Sequence, residues 1–233
     1  MKSIFALLRP AFKIPTTKWS AKLNQRWIPN VSTFFILAFG LWLFGTGTAI
    51  IIKAEIGVAP WTVLSQGISE KTDWSIGFAN FIISLCILTL WLPLKEKPGL
   101  GTLMNVIIVA ISIDLMMPFF PIPEVFPVAV IQVSFGIIMI GLGSALYLTA
   151  NMGPGARDGL MTGIQRYLNR PIGGVRFGIE VIVLIIGWLL GGKIGLGTVM
   201  FALGCGHSIA IWLTVVESCE TLFERLNFYK SKI

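Results

Sequence analysis

The chain has 233 residues, 55% of them apolar and 12% charged, with a net charge of +7 and a mean hydropathy of +0.83. A soluble domain carries about 25% charged residues, so this composition excludes a water-soluble globule, a disordered chain, a collagen and a disulfide scaffold. At roughly 20 residues per bilayer crossing, the apolar runs supply six spans, short connections and two tails, which makes an all-α polytopic membrane protein.

In chain order, residues 1–30 come first. Lys2, Arg9, Lys13, Lys18, Lys22 and Arg26 precede the first long apolar run, with no acidic residue among them. Beside a span, such a cluster is a positive-inside signal and not a nucleic-acid surface. The apolar stretch 4–8 is too short for a signal-peptide core, so 1–30 is expected to stay as a basic tail at the cytoplasmic surface. Spans are predicted at 31–53, 74–94, 100–118, 127–150, 173–191 and 196–216. Two further segments, 58–71 and 155–169, are too short and too polar to cross. Gly57-Val58-Ala59-Pro60 and Gly153-Pro154-Gly155 introduce them, so each reads as a short re-entrant or broken helix behind a tight loop. Residues 217–233 form a cytoplasmic tail in which Glu217, Glu220 and Glu224 alternate with Leu222, Phe223 and Leu226. That pattern predicts a short amphipathic surface helix.

Charge tests the topology. With the N-terminus inside and six crossings, every basic residue except Lys53, Lys71 and Lys193 falls on the cytoplasmic side, while Glu55, Glu70, Asp73, Asp114 and Glu124 collect outside. Positive-inside bias therefore favours both termini in the cytoplasm of a bacterial inner-membrane protein.

The chain also repeats itself. Shifted by 96 residues, Gly45-Thr46-Gly47-Thr48-Ala49 falls on Gly141-Leu142-Gly143-Ser144-Ala145, and Gly99-Leu100-Gly101-Thr102 on Gly195-Leu196-Gly197-Thr198. Nearly a third of positions 39–113 are identical to 135–209 without a gap. The repeats are 31–118 and 127–216, each with three crossings. Three is odd, so the second copy is expected upside down, the inverted plan of many secondary transporters.

The strings Gly155-Ala156-Arg157-Asp158-Gly159-Leu160-Met161, Val175-Arg176, Ile179-Glu180 and Gly187-Trp188-Leu189-Leu190-Gly191-Gly192 resemble the YczE-like bacterial integral membrane proteins, within a broader YitT/YyaS grouping. The likeness also takes in Pro60-Trp61 and Gly67 and runs from about residue 38 to 213. It implies a six-helix membrane fold. Thr62 stands where relatives often carry Asp, and Cys205-Gly206-His207 where they often read Ile-Gly-Pro.

Four residues could carry chemistry. Arg157 and Asp158 occupy the first turn of the second short helix, where free amides and the helix dipole favour an anion. Arg176 and Glu180 are four apart and share a helix face. Glu180 lies about seven residues, or roughly 10 Å, into its span; an ionised group at that depth needs a partner or water. The 96-residue shift maps the four onto Trp61, Thr62, Asn80 and Ser84: three stay polar, and every charge is gone. One reading is a pair of polar pockets, charged and neutral, that bind or gate a small anionic or zwitterionic substrate. The other is an ion network that pins the short helix to span five.

Other groups have plainer readings. His207 is the only histidine and Cys86, Cys205 and Cys219 are widely spaced, so no metal site, disulfide framework or cofactor is expected. His207 reads as an interhelical donor, and Asp114 as a residue at the external interface. Thr102, Asn105 and Ser112 share a face that bonds a neighbouring helix or lines a path. Gly40, Gly45, Gly47 and their mates Gly136, Gly141 and Gly143 thin the faces of spans one and four, as Ala202, Gly206 and Ala210 are expected to do for span six. No hydrolase, nucleotide-binding or zinc-protease motif is present, so no enzyme is expected. Two functions remain: a secondary transporter of a small molecule, or a membrane scaffold that supports a partner protein or a second copy of the chain.

Overall fold

A computed structural model describes residues 14–22 and 26–230, with side chains described as far as 222. Lys2, Arg9 and Lys13 lie outside the described residues. The described residues form eight helices: α1 (Val31–Lys53), α2 (Pro60–Thr72), α3 (Ile76–Leu94), α4 (Leu100–Met116), α5 (Phe126–Ala150), α6 (Ala156–Leu168), α7 (Ile172–Leu189) and α8 (Leu196–Lys230), with a 3-10 turn, Met117–Phe119, closing α4. Six are long and apolar enough to cross a membrane; α2 and α6 are not. Proline starts α2 at Pro60, where its missing N–H costs nothing, and Ser75 caps α3 by accepting from the Phe78 N–H.

The 96-residue repeat extends to the backbone. Among the described residues, left-handed conformations occur at Glu55, Gly57, Asp73 and Lys95, and again at Asn151, Gly153, Asn169 and Gly191, each 96 residues later. Three of these pairs follow a helix as the left-handed residue that ends it. The fourth, Gly57 and Gly153, needs glycine twice over. Besides φ of +107° and +116°, a Cβ on Gly57 would strike Gly195, and one on Gly153 would crowd Gly99 and Thr102.

Contacts between the halves exchange under the same shift. The equivalent helices α1 and α5 cross antiparallel at the centre: Gly40 meets Gly143, and Gly47 meets Gly136. The Gly101 N–H donates to the Met152 carbonyl at 2.9 Å, and the Gly197 N–H to the Ile56 carbonyl at 2.7 Å. Within each half the packing also repeats: Gly45 takes the Ser112 side chain of α4, as Gly141 takes Ser208 of α8. The short helices pack on the opposite half, α2 on α7 and α6 on α3. The small residues of α1 and α5 thus do what lipid-embedded helices need of them, since close backbone approach replaces a hydrophobic driving force.

Two expectations fail. Ala202 and Gly206 are exposed, and no atom lies within 4 Å of a Cβ built on Gly206; α8 meets α5 through Gly204 and Ser208 instead. No separate helix follows Val216 either: α8 runs on to Lys230, because neither glycine nor proline interrupts 207–230. Asp114 does reach the end of the bundle, where it holds a neighbour: Oδ2 accepts from Ser75 Oγ at 2.5 Å and Oδ1 from the Gly77 N–H at 2.7 Å.

The N-terminal segment is strapped across the far end of α5. Trp19 Nε1 donates to Thr149 Oγ1 at 3.2 Å, Ser20 Oγ to the Thr149 carbonyl at 2.6 Å, and the Ala21 N–H to the Ala150 carbonyl at 3.0 Å. The last two bonds satisfy carbonyls that the last turn of a helix leaves open.

Candidate functional site

The starts of α2 and α6 border one cavity of about 360 Å³ between the two halves. Of the eight residues singled out from sequence, Trp61, Asn80, Ser84, Arg157, Asp158, Arg176 and Glu180 line it. Thr62 lines an adjoining crevice of about 20 Å³, which Arg157 also borders; that is room for one water. The charged quartet and three of its four neutral mates are therefore walls of one chamber and not two separate pockets.

Arg157 is the centre of the polar wall. Its guanidinium donates to Asn80 Oδ1 on α3 and stacks over the Trp61 ring of α2 at 5.2 Å, a cation–π arrangement that strengthens on desolvation. Burial pushes the guanidinium down to about 10, opposed by the neighbouring Asp158 carboxylate, so it stays a cation near neutral pH. No carboxylate pairs with it among the described residues. Trp61 itself is buried, and its indole N–H has no hydrogen-bond partner among the described residues. A buried unpaired donor costs on the order of 1–3 kcal/mol.

Asp158 accepts from the Tyr147 hydroxyl of α5 at 2.7 Å. Arg176 and Glu180 pair with each other along α7, Nε to Oε1 at 2.9 Å, and Arg176 is more than half exposed. The four charges thus bond to four different places: Arg157 to α3 and α2, Asp158 to α5, Arg176 and Glu180 to one another. An ion pair between α6 and α7, which the pinning reading requires, is absent among the described residues.

Asn105 lines the cavity, one of the two roles expected of it, while sequence reasoning missed other wall residues: Tyr147, Cys205, Phe44 and Phe201. Tyr147 carried a usable signal, since a hydroxyl deep in an apolar span needs a partner. Thr102 and Ser112, expected to share Asn105's role, bond neighbouring segments: Thr102 Oγ1 donates to the Pro154 carbonyl at 2.7 Å, and Ser112 Oγ to the Trp42 carbonyl at 2.8 Å. His207 bonds only the Leu203 carbonyl of its own helix and faces outward, so it reaches neither a neighbouring helix nor the cavity.

Comparison with known proteins places the chain. A family model described as "Family of unknown function (DUF6198)" matches residues 31–214. An "Uncharacterized protein" of Haemophilus influenzae is 40% identical over 203 residues, covering 87% of this chain and 92% of the relative. The "Uncharacterized membrane protein YczE" of Bacillus subtilis is 30% identical over 79% of this chain and 84% of the relative. YyaS of the same organism is 25% identical over 79% and 94%. No solved structure matches the chain. The chain belongs to the DUF6198 family of YczE-like multi-pass membrane proteins.

Proposed function

We propose that this member of the YczE-like family is a secondary transporter that moves a small anionic or zwitterionic molecule by alternating access, with both termini in the cytoplasm of the bacterial inner membrane. The cavity carries the proposal. Its volume of about 360 Å³ lies within the range for small-molecule sites, about 300–1,000 Å³, and it sits where two short helices from equivalent halves meet. The antiparallel crossing of α1 and α5 and the exchanged contacts between halves support an inverted repeat, the architecture that places substrates at a repeat interface. The step from that architecture to transport is an analogy of fold.

The chemistry of the wall favours an acceptor-bearing ligand. Arg157 is a cation without a carboxylate partner, and the Trp61 N–H is an open donor beside it. A substrate oxygen, carboxylate or similar, would serve both. Glu180 would act as the coupling or gating carboxylate, held meanwhile by Arg176.

The test is a metabolite library read by the thermal midpoint of the purified protein, with Arg157→Ala and Glu180→Gln alongside. A ligand at 100 times its dissociation constant adds about 2.7 kcal/mol. A hit that disappears in either variant while the protein stays folded supports transport. No hit, together with lowered midpoints in both unliganded variants, would return the charges to a structural role.

A second function has its own support. α7 and α8 are the least buried of the six spans, which suits a scaffold whose exposed faces meet a partner membrane protein or a second copy of the chain. Co-purification of a stoichiometric partner with an unliganded cavity would favour it.

A further inference from the structure

We propose that the cavity has two gates built from equivalent helix pairs: α3 with α4, held shut by Asp114, and α7 with α8, the same gate standing open. The inference deepens the transport proposal by naming the moving parts and a positioning residue.

The shut gate is well defined. α3 packs along α4, and Gly77 at the start of α3 lies against the Ala110 backbone and the Asp114 side chain. Asp114 ties that end with two bonds, to Ser75 Oγ and the Gly77 N–H. The carboxylate thus serves as a cap for α3 borrowed from α4, and it favours the free amides of a helix N-terminus.

The 96-residue shift turns Ser75, Gly77, Ala110 and Asp114 into Pro171, Gly173, Gly206 and Ala210. The latch disappears, since proline and alanine side chains neither donate nor accept. The small residues remain. Yet nothing lies within 4 Å of a Cβ built on Gly173 or on Gly206, and α7 and α8 scarcely touch. The cavity extends to this gap, where Arg176 and Glu180 of α7 face Cys205 and Gly206 of α8.

Glycine in a helix interior, as at Gly206, costs about 0.5–1 kcal/mol against alanine, and no contact in the observed state requires it there or at Gly173 in the first turn of α7. Close approach of α7 to α8 would. In that state Gly173 would lie on α8 as Gly77 lies on α4. The opening would close, and Asp114 would have to release α3 for the other side to open. One gate has a latch and the other has none, so the observed state, with the α7–α8 gap open, is the one the sequence favours at rest.

Disulfide trapping tests this. In a chain carrying Cys86→Ala, Cys205→Ala and Cys219→Ala, cysteines are placed by Gly173→Cys and Ala210→Cys, and membranes are oxidised with copper phenanthroline. A disulfide needs Cβ atoms about 3.5–4.5 Å apart, which the open gap does not provide. The expected result is a bond within one chain, seen as a mass loss of two hydrogens. It should form several-fold faster when Asp114→Ala is added. Ser75→Ala removes one of the two latch bonds, together with the cap on the Phe78 N–H; it should give a smaller acceleration and covers the case where Asp114→Ala fails to fold.

Thiols that both react with a maleimide yet never cross-link would overturn the gate. So would a bond between two chains, which would make this face a dimer interface. A cross-linking rate unmoved by both latch variants would overturn the role of Asp114. The outcomes separate from those of the transport test: a bound ligand without trapping keeps the site and removes the gate, and trapping without any ligand keeps the motion and removes the substrate.

Discussion

The two short helices solve one packing problem in opposite ways. α2 lies on α7 with Val63 and Leu64 pressed against Gly187, whereas α6 lies on α3 with Gly159 pressed against the ring of Trp91. Val63 and Gly159 are equivalent under the 96-residue shift, and so are Gly187 and Trp91. The large residue sits on the short helix in one half and on the spanning helix in the other. The exchange is unequal, because tryptophan is far larger than valine, and Gly187 meets the backbone of Val63 and Leu64 whereas Gly159 meets a side-chain ring. What differs is how each helix is tied. α2 approaches backbone to backbone, and Gln66 Oε1 accepts from the Lys193 N–H at 3.1 Å. α6 is held by side chains: Trp91 Nε1 donates to the Ala156 carbonyl at 3.0 Å, and Glu96 pairs with Arg166. The charged short helix is therefore held by side chains and the neutral one by close backbone approach, and the charges border the cavity.

Trp91→Ala is the most direct way to break the contrast. It empties the notch over Gly159 and removes the bond to Ala156, so it should cost about 3–5 kcal/mol, read as a fall in thermal midpoint in detergent. Adding Gly159→Val should restore part of that loss, a coupling that a double-mutant cycle measures; simple additivity would refute a direct coupling between the two positions. Gly187→Val attacks the other mount. Its added atoms meet the backbone of Val63 and Leu64, and the expected cost is roughly 3 kcal/mol, at the upper end for overpacking.

Smaller changes sharpen the comparison. Asn80→Ala deprives Arg157 of its acceptor, and a buried charged donor left short should cost about 2 kcal/mol; Asn80→Asp, which supplies an anion instead, should restore the midpoint. Gly174→Ala fills open space on α7 and should raise the midpoint by an amount equivalent to about 0.5–1 kcal/mol. Glu180→Gln should change stability least, about 0.5 kcal/mol, because its partner is an exposed arginine one turn away. A large fall in midpoint there would give the ion pair a structural role.

Much of this fold is legible in the sequence, for identifiable reasons. The spans follow from length and hydropathy. The short helices follow from Gly57 and Pro60 and from Gly153 and Pro154, whose backbone demands are local. The site is legible because charges in apolar sequence stand out and because the 96-residue shift names their mates. Facing is what remained hidden. In lipid a span is apolar all round, so periodicity says nothing of which side meets protein. Tyr147 and Cys205 were therefore overlooked, Gly206 was assigned to a contact it does not make, and His207 was turned inward. The partners of Asp114, Ser75 and Gly77, lie 39 and 37 residues away, beyond the reach of any local rule.

The strap over α5 has a consequence for how the protein is made. Trp19, Ser20 and Ala21 are synthesised before the first span, yet their partners at Thr149 and Ala150 follow some 130 residues later. At about 5–20 residues per second, the ribosome needs roughly 6–26 s to supply them. Throughout that interval four spans are delivered to the bilayer while the leading segment waits unpaired at the surface. Residues 19–21 thus reach these bonds only after the chain has turned back on itself, and early truncation products would carry the strap with nothing to fasten it to.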